Sequence, residues 1–98
     1  MFARLFSSII RNENLDELIR VWRDLDTPEM KSIKGYRGAY LLTNRKTGKA
    51  ISMTLWDSEE DAIANEQNDY VQKQVNRFYK DLLTKPLTRE GYEVSAQG

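Results

Sequence analysis

Tyr36-Arg-Gly-Ala-Tyr-Leu-Leu-Thr43, Asn44-Arg-Lys-Thr-Gly48 and Lys49-Ala-Ile-Ser-Met-Thr-Leu-Trp56 follow one another without a break. Two runs of aromatic, aliphatic and β-branched residues flank a short polar segment that ends in glycine. That pattern predicts a β-hairpin, with Gly48 suited to a positive φ at the turn. A loop of Arg45 to Gly48 pairs Asn44 with Lys49. Counting back sets Leu41 against Ser52, Ala39 against Thr54 and Arg37 against Trp56. Arg37, Ala39, Leu41, Ser52, Thr54 and Trp56 then share one face. Tyr36, Tyr40, Leu42, Ile51, Met53 and Leu55 share the other, which is the more apolar and suits a covering of helices.

The reading extends outward from the hairpin. Phe2 to Ile10 is apolar and β-branched, too short for a typical helix, and predicts a strand. Phe2, Phe6 and Ile10 lie on one of its faces, and Ala3, Leu5 and Ile9 on the other, so it should be covered on both sides. Asn12 or Asn14 can cap a following helix with the stripe Leu15, Leu18, Ile19, Trp22 and Leu25. Glu13, Asp16 and Glu17 lie near its start, where the helix dipole favours them. Thr27-Pro28 ends it or starts a short turn, and Gly35 punctuates the approach to the hairpin. After Trp56, Ser58 is a cap with Asp61 three residues on. The helix that follows is long, breaks near Asn68, places Val71, Val75, Phe78 and Leu82 on one stripe, and stops at Pro86. Leu87 to Ser95 is the last strand. The order is β-α-β-β-α-β, an α+β domain of ferredoxin-like type with a four-stranded antiparallel sheet.

Composition bounds what such a domain can do. The chain has 98 residues, a single domain spanning 1–98. At this size only about two-thirds of the unfolded chain's surface is buried. There is no Cys, so extra stability has to come from packing or from a second copy. Lys plus Arg is 15 and Asp plus Glu is 15, which gives no steering toward nucleic acid or an anionic membrane. There is no His. Zinc sites of the usual kind, and catalysis by Ser-His-Asp or Cys-His within the chain, are therefore excluded. No metal or other cofactor is expected. Arg4, Ser7 and Ser8 interrupt the apolar N-terminal segment as a signal peptide, and no stretch is long enough to span a bilayer. A soluble cytoplasmic protein is the expectation.

Both helices of a ferredoxin-like domain cover one face of the sheet. The other face, expected here to carry Trp56 and Arg37 with Phe6 and Ser8 from the first strand, suits burial against a twin sheet. A homodimer is expected, with room between the sheets.

Several stretches carry a resemblance. Gly35-Tyr-Arg-Gly-Ala-Tyr-Leu-Leu42, the Thr47-Gly48 hairpin, Leu55-Trp-Asp-Ser-Glu-Glu-Asp61 and Glu90-Gly-Tyr-Glu-Val94 resemble the antibiotic biosynthesis monooxygenase family of dimeric α/β barrels. The resemblance covers nearly the whole chain. It implies two sheets packed face to face with a cavity in each half. It also implies a choice of chemistries, because some members are cofactor-independent oxygenases of electron-rich polycyclic aromatics and related members degrade haem. Fold does not decide among these. Haem-degrading members resemble this chain around Trp56 but hold iron with a His from helix two. The matching stretch here is Tyr70 to Phe78, with Val75 near the ligand position, so that mechanism is disfavoured.

The candidate ligand-binding residues are Arg37, Trp56, Ser52, Thr54, Phe6 and Ser8. An indole at Trp56 can stack on a flat aromatic and donate one hydrogen bond, or fill space between sheets. Arg37 can hold a carboxylate, phenolate or developing enolate, or form a salt bridge at the cavity mouth. Arg4 has a similar orientation but lies near the chain end. Ser52 and Thr54 can hydrogen-bond a ligand or satisfy themselves locally. No carboxylate pair is arranged for acid–base work, and the catalytic residues are unknown. Three functions fit: a cofactor-independent monooxygenase acting on a small aromatic or enolisable substrate in an inter-sheet cavity, a non-catalytic small-molecule-binding module, and a structural dimer with a filled cavity.

Overall fold

The computed structural model describes residues 1–66, 79 and 82–98. The second half of the long helix, with Val71, Val75 and Phe78, lies outside the described residues, as does the break near Asn68. Four antiparallel strands form one sheet in the order β2-β3-β1-β4. They are β1 (Phe2–Ile9), β2 (Tyr36–Asn44), β3 (Lys49–Trp56) and β4 (Thr88–Glu93). The helices are α1 (Asn12–Val21), α2 (Thr27–Met30) and α3 (Glu59–Glu66), with a π-helical turn at Trp22–Asp26 between the first two. This is the ferredoxin-like arrangement.

The hairpin follows the expected register from Asn44↔Lys49 through Leu41↔Ser52 and Ala39↔Thr54 to Gly38↔Leu55. There it shifts. A bulge between Tyr36 and Gly38 sets Tyr36, not Arg37, opposite Trp56. Gly38 takes φ +137°, a region that side-chain-bearing residues rarely enter, and so permits the extra residue. Gly48 has φ +78° as expected, and its carbonyl accepts from the Ile10 N–H at 2.8 Å.

α1 buries Leu15, Leu18 and Val21. These pack with Ile10, Ala50 and Tyr79 into one core cluster. Each such aliphatic contributes about 1.5–3 kcal/mol when fully buried. No Asn caps α1: the N-cap is Arg11, without a side-chain hydrogen bond, and Asn12 already lies inside the first turn. Thr27-Pro28 does not end the helical run. The Thr27 N–H bonds the Trp22 carbonyl five residues back, so a wider turn leads into the proline, which can donate nothing itself. Ser58 caps α3 as expected: its hydroxyl accepts from the Asp61 N–H at 3.2 Å and donates to the Asp61 carboxylate at 3.1 Å.

The helices cover the face opposite to the one expected. Phe2↔Trp56, Arg4↔Thr54, Phe6↔Ser52 and Ser8↔Ala50 are cross-strand pairs, so these residues share a face. Trp56 is fully buried in a second cluster with Met30 and Ala62, flanked by Phe2, Ile33 and Tyr36. Arg4 reaches Ala62 and Asn65 on α3. The helix-covered face is therefore the mixed one. Its small residues, Ala39, Ala50 and Ser52, let the helices approach, which a count of apolar residues does not register. The other face carries Leu5, Tyr40, Leu42, Ile51, Met53, Leu55 and Tyr92, and no described helix covers it. Tyr40 is 58% exposed, Leu42 48% and Tyr92 52%. No described helix is long and apolar enough to cross a membrane.

Candidate functional site

Strand pleating gathers the polar and aromatic side chains beneath the helices. Thr54 and Trp56 are two apart on β3 and point the same way. The Trp56 indole N–H donates to Thr54 Oγ1 at 2.9 Å. One further step back, Ser52 Oγ accepts from the indole N–H of Trp22 at 2.9 Å. Each hydroxyl on β3 thus holds one indole. Trp22 opens the π-helical turn, so that turn sets the second indole over the sheet.

Arg4 lies beside them on β1. Although near the chain end, it is only 2% exposed. Its Nη1 donates to the Ala62 carbonyl at 3.1 Å and its Nη2 to Asn65 Oδ1 at 2.8 Å. The guanidinium carbon is 5.1 Å from the ring centroids of both Phe6 and Trp56, within cation–π range. Ser8 Oγ donates to the Lys85 carbonyl at 2.7 Å, tying β1 to the segment before β4.

Of the six candidates, Trp56, Thr54, Ser52, Phe6 and Ser8 are brought to one face, between sheet and helices rather than between two sheets. Arg37 is not among them. The bulge turns it outward to an exposed ion pair with Asp57. Tyr40, expected under the helices, stands on the uncovered face. Tyr70 lies outside the described residues. The carboxylates held below the usual range, Glu17 and Asp24, owe this to hydrogen bonds from Arg20 and Arg23 on the exposed side of the helices. They are remote in character from an acid–base pair in a site.

Three residues of the site were missed or discounted. Arg4 carried a signal, since a charge in the middle of a strand apolar on both faces has to be held by something. Asn65 carried one too: it sits three residues after Ala62 on the buried side of α3. Trp22 was assigned to the core stripe, and nothing in the sequence marks the π turn that swings it onto Ser52.

This arrangement defines a ferredoxin-like domain with aromatic rings, hydroxyls and a buried cation gathered under its helices. The family model for antibiotic biosynthesis monooxygenase matches residues 1–77, and the chain belongs to that family. Among curated proteins none matches. Among solved structures, the heme-degrader MhuD of Mycobacterium tuberculosis, with two hemes bound in its active site, is similar at TM-score 0.81 and 13% identity, covering 100% of this chain and 99% of that one. A monooxygenase from the gene ActVA-Orf6 of Streptomyces coelicolor, in complex with the ligand nanaomycin D, matches at TM-score 0.76 and 11% identity over 99% and 88% of the two chains. A conserved protein of Methanosarcina mazei matches at 0.74 and 13% over 94% and 91%. At these identities the likeness is one of fold.

The residues present do not fit a haem iron. The chain has neither His nor Cys. The described side chains under the helices offer hydroxyl, carboxamide, guanidinium and indole groups, which are not usual axial ligands, and the phenols of Tyr79, packed in the α1 cluster, and Tyr36, packed edge-on against Trp56.

Proposed function

We propose that the chain binds a small planar molecule, aromatic or enolisable, between the sheet and the helices, and acts on it as a cofactor-independent monooxygenase. The observation that carries this reading is the Arg4–Trp56–Thr54 constellation: an indole and a phenyl ring flanking a buried cation, with hydroxyls alongside. Rings supply a stacking surface. A desolvated cation stabilises negative charge developing on an enolate far better than one in water. In such chemistry the substrate anion itself reduces oxygen, so the protein need only bind, desolvate and orient it. The family and the monooxygenase among its structural neighbours support the reaction class.

The working unit in this proposal is a cytoplasmic homodimer. Its support is the uncovered face, where Leu42, Tyr40 and Tyr92 stand exposed beside Leu5, Ile51, Met53 and Leu55. A contiguous apolar patch of this kind marks an interaction surface, and a second copy offers a matching one across a two-fold axis.

One observation favours a second reading, a binding or structural module without catalysis. Trp56 is fully buried and its N–H already has an acceptor in Thr54, as in a filled core. Oxygen uptake separates the two. With anthrone as probe, the enzyme reading predicts that one oxygen atom enters the methylene carbon to give anthraquinone while the other leaves as water with its two hydrogens. The rate should exceed the protein-free rate and fall at least about tenfold in Trp56→Leu. Uptake no faster than in buffer supports the binding module.

A further inference from the structure

Trp56 has no exposed surface, and Met30, Ala62, Phe2, Ile33 and Tyr36 pack around it. A ligand that stacks on this indole must first displace some of them. Phe2 and Tyr36 are held in the strand ladders of β1 and β2. Ala62 lies on α3, which Arg4 ties to the sheet through the Ala62 carbonyl and Asn65. Met30 and Ile33 remain. Both lie in residues 22–34, which run from the π-helical turn through α2 to Gly35.

That segment is held largely by itself. The Ile33 N–H bonds the Met30 carbonyl at 3.0 Å, and the Thr27 N–H bonds the Trp22 carbonyl. Arg23 pairs with Asp24 inside it. Among the described side chains, its one hydrogen bond to the rest of the protein is that from the Trp22 indole to Ser52 Oγ, which is half-buried. Both groups can turn to water when they part, so breaking this bond leaves no buried polar group without a partner. The two ends suit a hinge. A π turn is a less regular turn of helix and is frequent at functional sites. Gly35 takes φ +83°, its carbonyl is fixed by the Asp57 N–H at 2.8 Å, and a side chain there would collide with the Asp61 carboxylate.

We propose that residues 22–34 form a strap that swings off Trp56 to admit the planar ligand, with the Trp22–Ser52 hydrogen bond as its latch and the π turn and Gly35 as its hinges. The proposal rests on the aromatic site above and adds how a ligand reaches a buried indole. Met30 and Ile33 give up their contacts with Trp56 to the entering ring.

The test joins native-state hydrogen exchange on the free protein with stopped-flow binding of 1,4-naphthoquinone, followed by quenching of Trp56. The Thr27 and Ile33 amides should share one protection factor, at least about tenfold below those of Leu18 in α1 and Asn65 in α3. Trp22→Phe removes the latch donor, and Ser52→Ala removes the acceptor and keeps the indole. Each should lower protection at Thr27 and Ile33 by at least about threefold, leave Leu18 and Asn65 as they are, and speed quinone association by a similar factor. If the quinone binds but Thr27 and Ile33 are protected as strongly as Leu18, or both variants associate at the wild-type rate, the strap is overturned and the aromatic site stands. If the quinone does not bind wild type, the aromatic site falls, and the strap with it. Should one variant not fold, the other and the wild-type exchange pattern decide.

Discussion

Tyr36 stands across from Trp56, with ring centroids 5.8 Å apart and planes at 76°. An edge-to-face pair of this kind is worth about 0.5–1.5 kcal/mol beyond its buried area. The bulge that makes it displaces Arg37 by one place and turns it to Asp57 at the surface. One backbone irregularity thus puts one guanidinium outside and leaves Arg4 inside.

The two arginines should respond oppositely to substitution. Arg37→Ala should change stability by less than about 1 kcal/mol, as expected of an exposed ion pair, and leave ligand binding unaltered. Arg4→Met should cost about 2–4 kcal/mol, because it strips the Ala62 carbonyl and Asn65 Oδ1 of a charged donor. Urea unfolding of both variants measures this. Equal losses would contradict the assignment of Arg4 as the buried cation.

Gly38 is the residue that makes the bulge possible. Gly38→Val forces a β-branched side chain to φ +137° and should destabilise by about 1–3 kcal/mol. Nothing lies within 4 Å of an added Cβ there, so backbone strain and not collision is the cause. Thermal denaturation checks it; an unchanged midpoint would mean that the bulge relaxes.

Association should run through the uncovered sheet face. Sedimentation at micromolar concentration should give about 23 kDa, twice the 11.5 kDa chain. Leu42→Asp combined with Met53→Asp should shift the population to single chains, since each places a charge in the apolar contact. A wild-type protein at 11.5 kDa, or a double variant that stays paired, removes this face as the interface.

Haem titration offers a sharp contrast with the heme-degrader of the same fold. With neither His nor Cys in the chain, the Soret band should show no saturable shift of an axially ligated kind. A tight, spectrally sharp complex would point to tyrosinate ligation and would require the site chemistry to be rewritten.

Much of the fold was legible because it rests on local rules. Gly48 and the loop before it fixed the hairpin register, Leu15 and Leu18 marked the buried stripe of α1, and Ser58 marked the start of α3. The site was only half legible. Pairing put Phe6, Ser8, Ser52, Thr54 and Trp56 on one face, but pairing does not say which face the helices take. Apolar count favoured the Tyr40–Leu42–Met53 side. Side-chain size and the reach of Arg4 to α3 decided otherwise, and both are tertiary. The bulge at Arg37 had a local cause in Gly38, yet a glycine near a strand's start reads equally well as close packing. Asn65 owes its place to Arg4, 61 residues away in sequence, a relation no local pattern carries.

The central claim is that the ligand site lies between the sheet and the helices, on the face of Trp56. The two indole N–H signals report it most directly, because Trp22 and Trp56 are the only tryptophans and both donate to hydroxyls on β3. Titration of 15N- and methyl-labelled protein with 1,4-naphthoquinone should move both indole signals saturably and leave the Leu42 and Met53 methyls in place. Still indoles with shifts confined to Leu42 and Met53 would put the ligand on the opposite face and contradict the account.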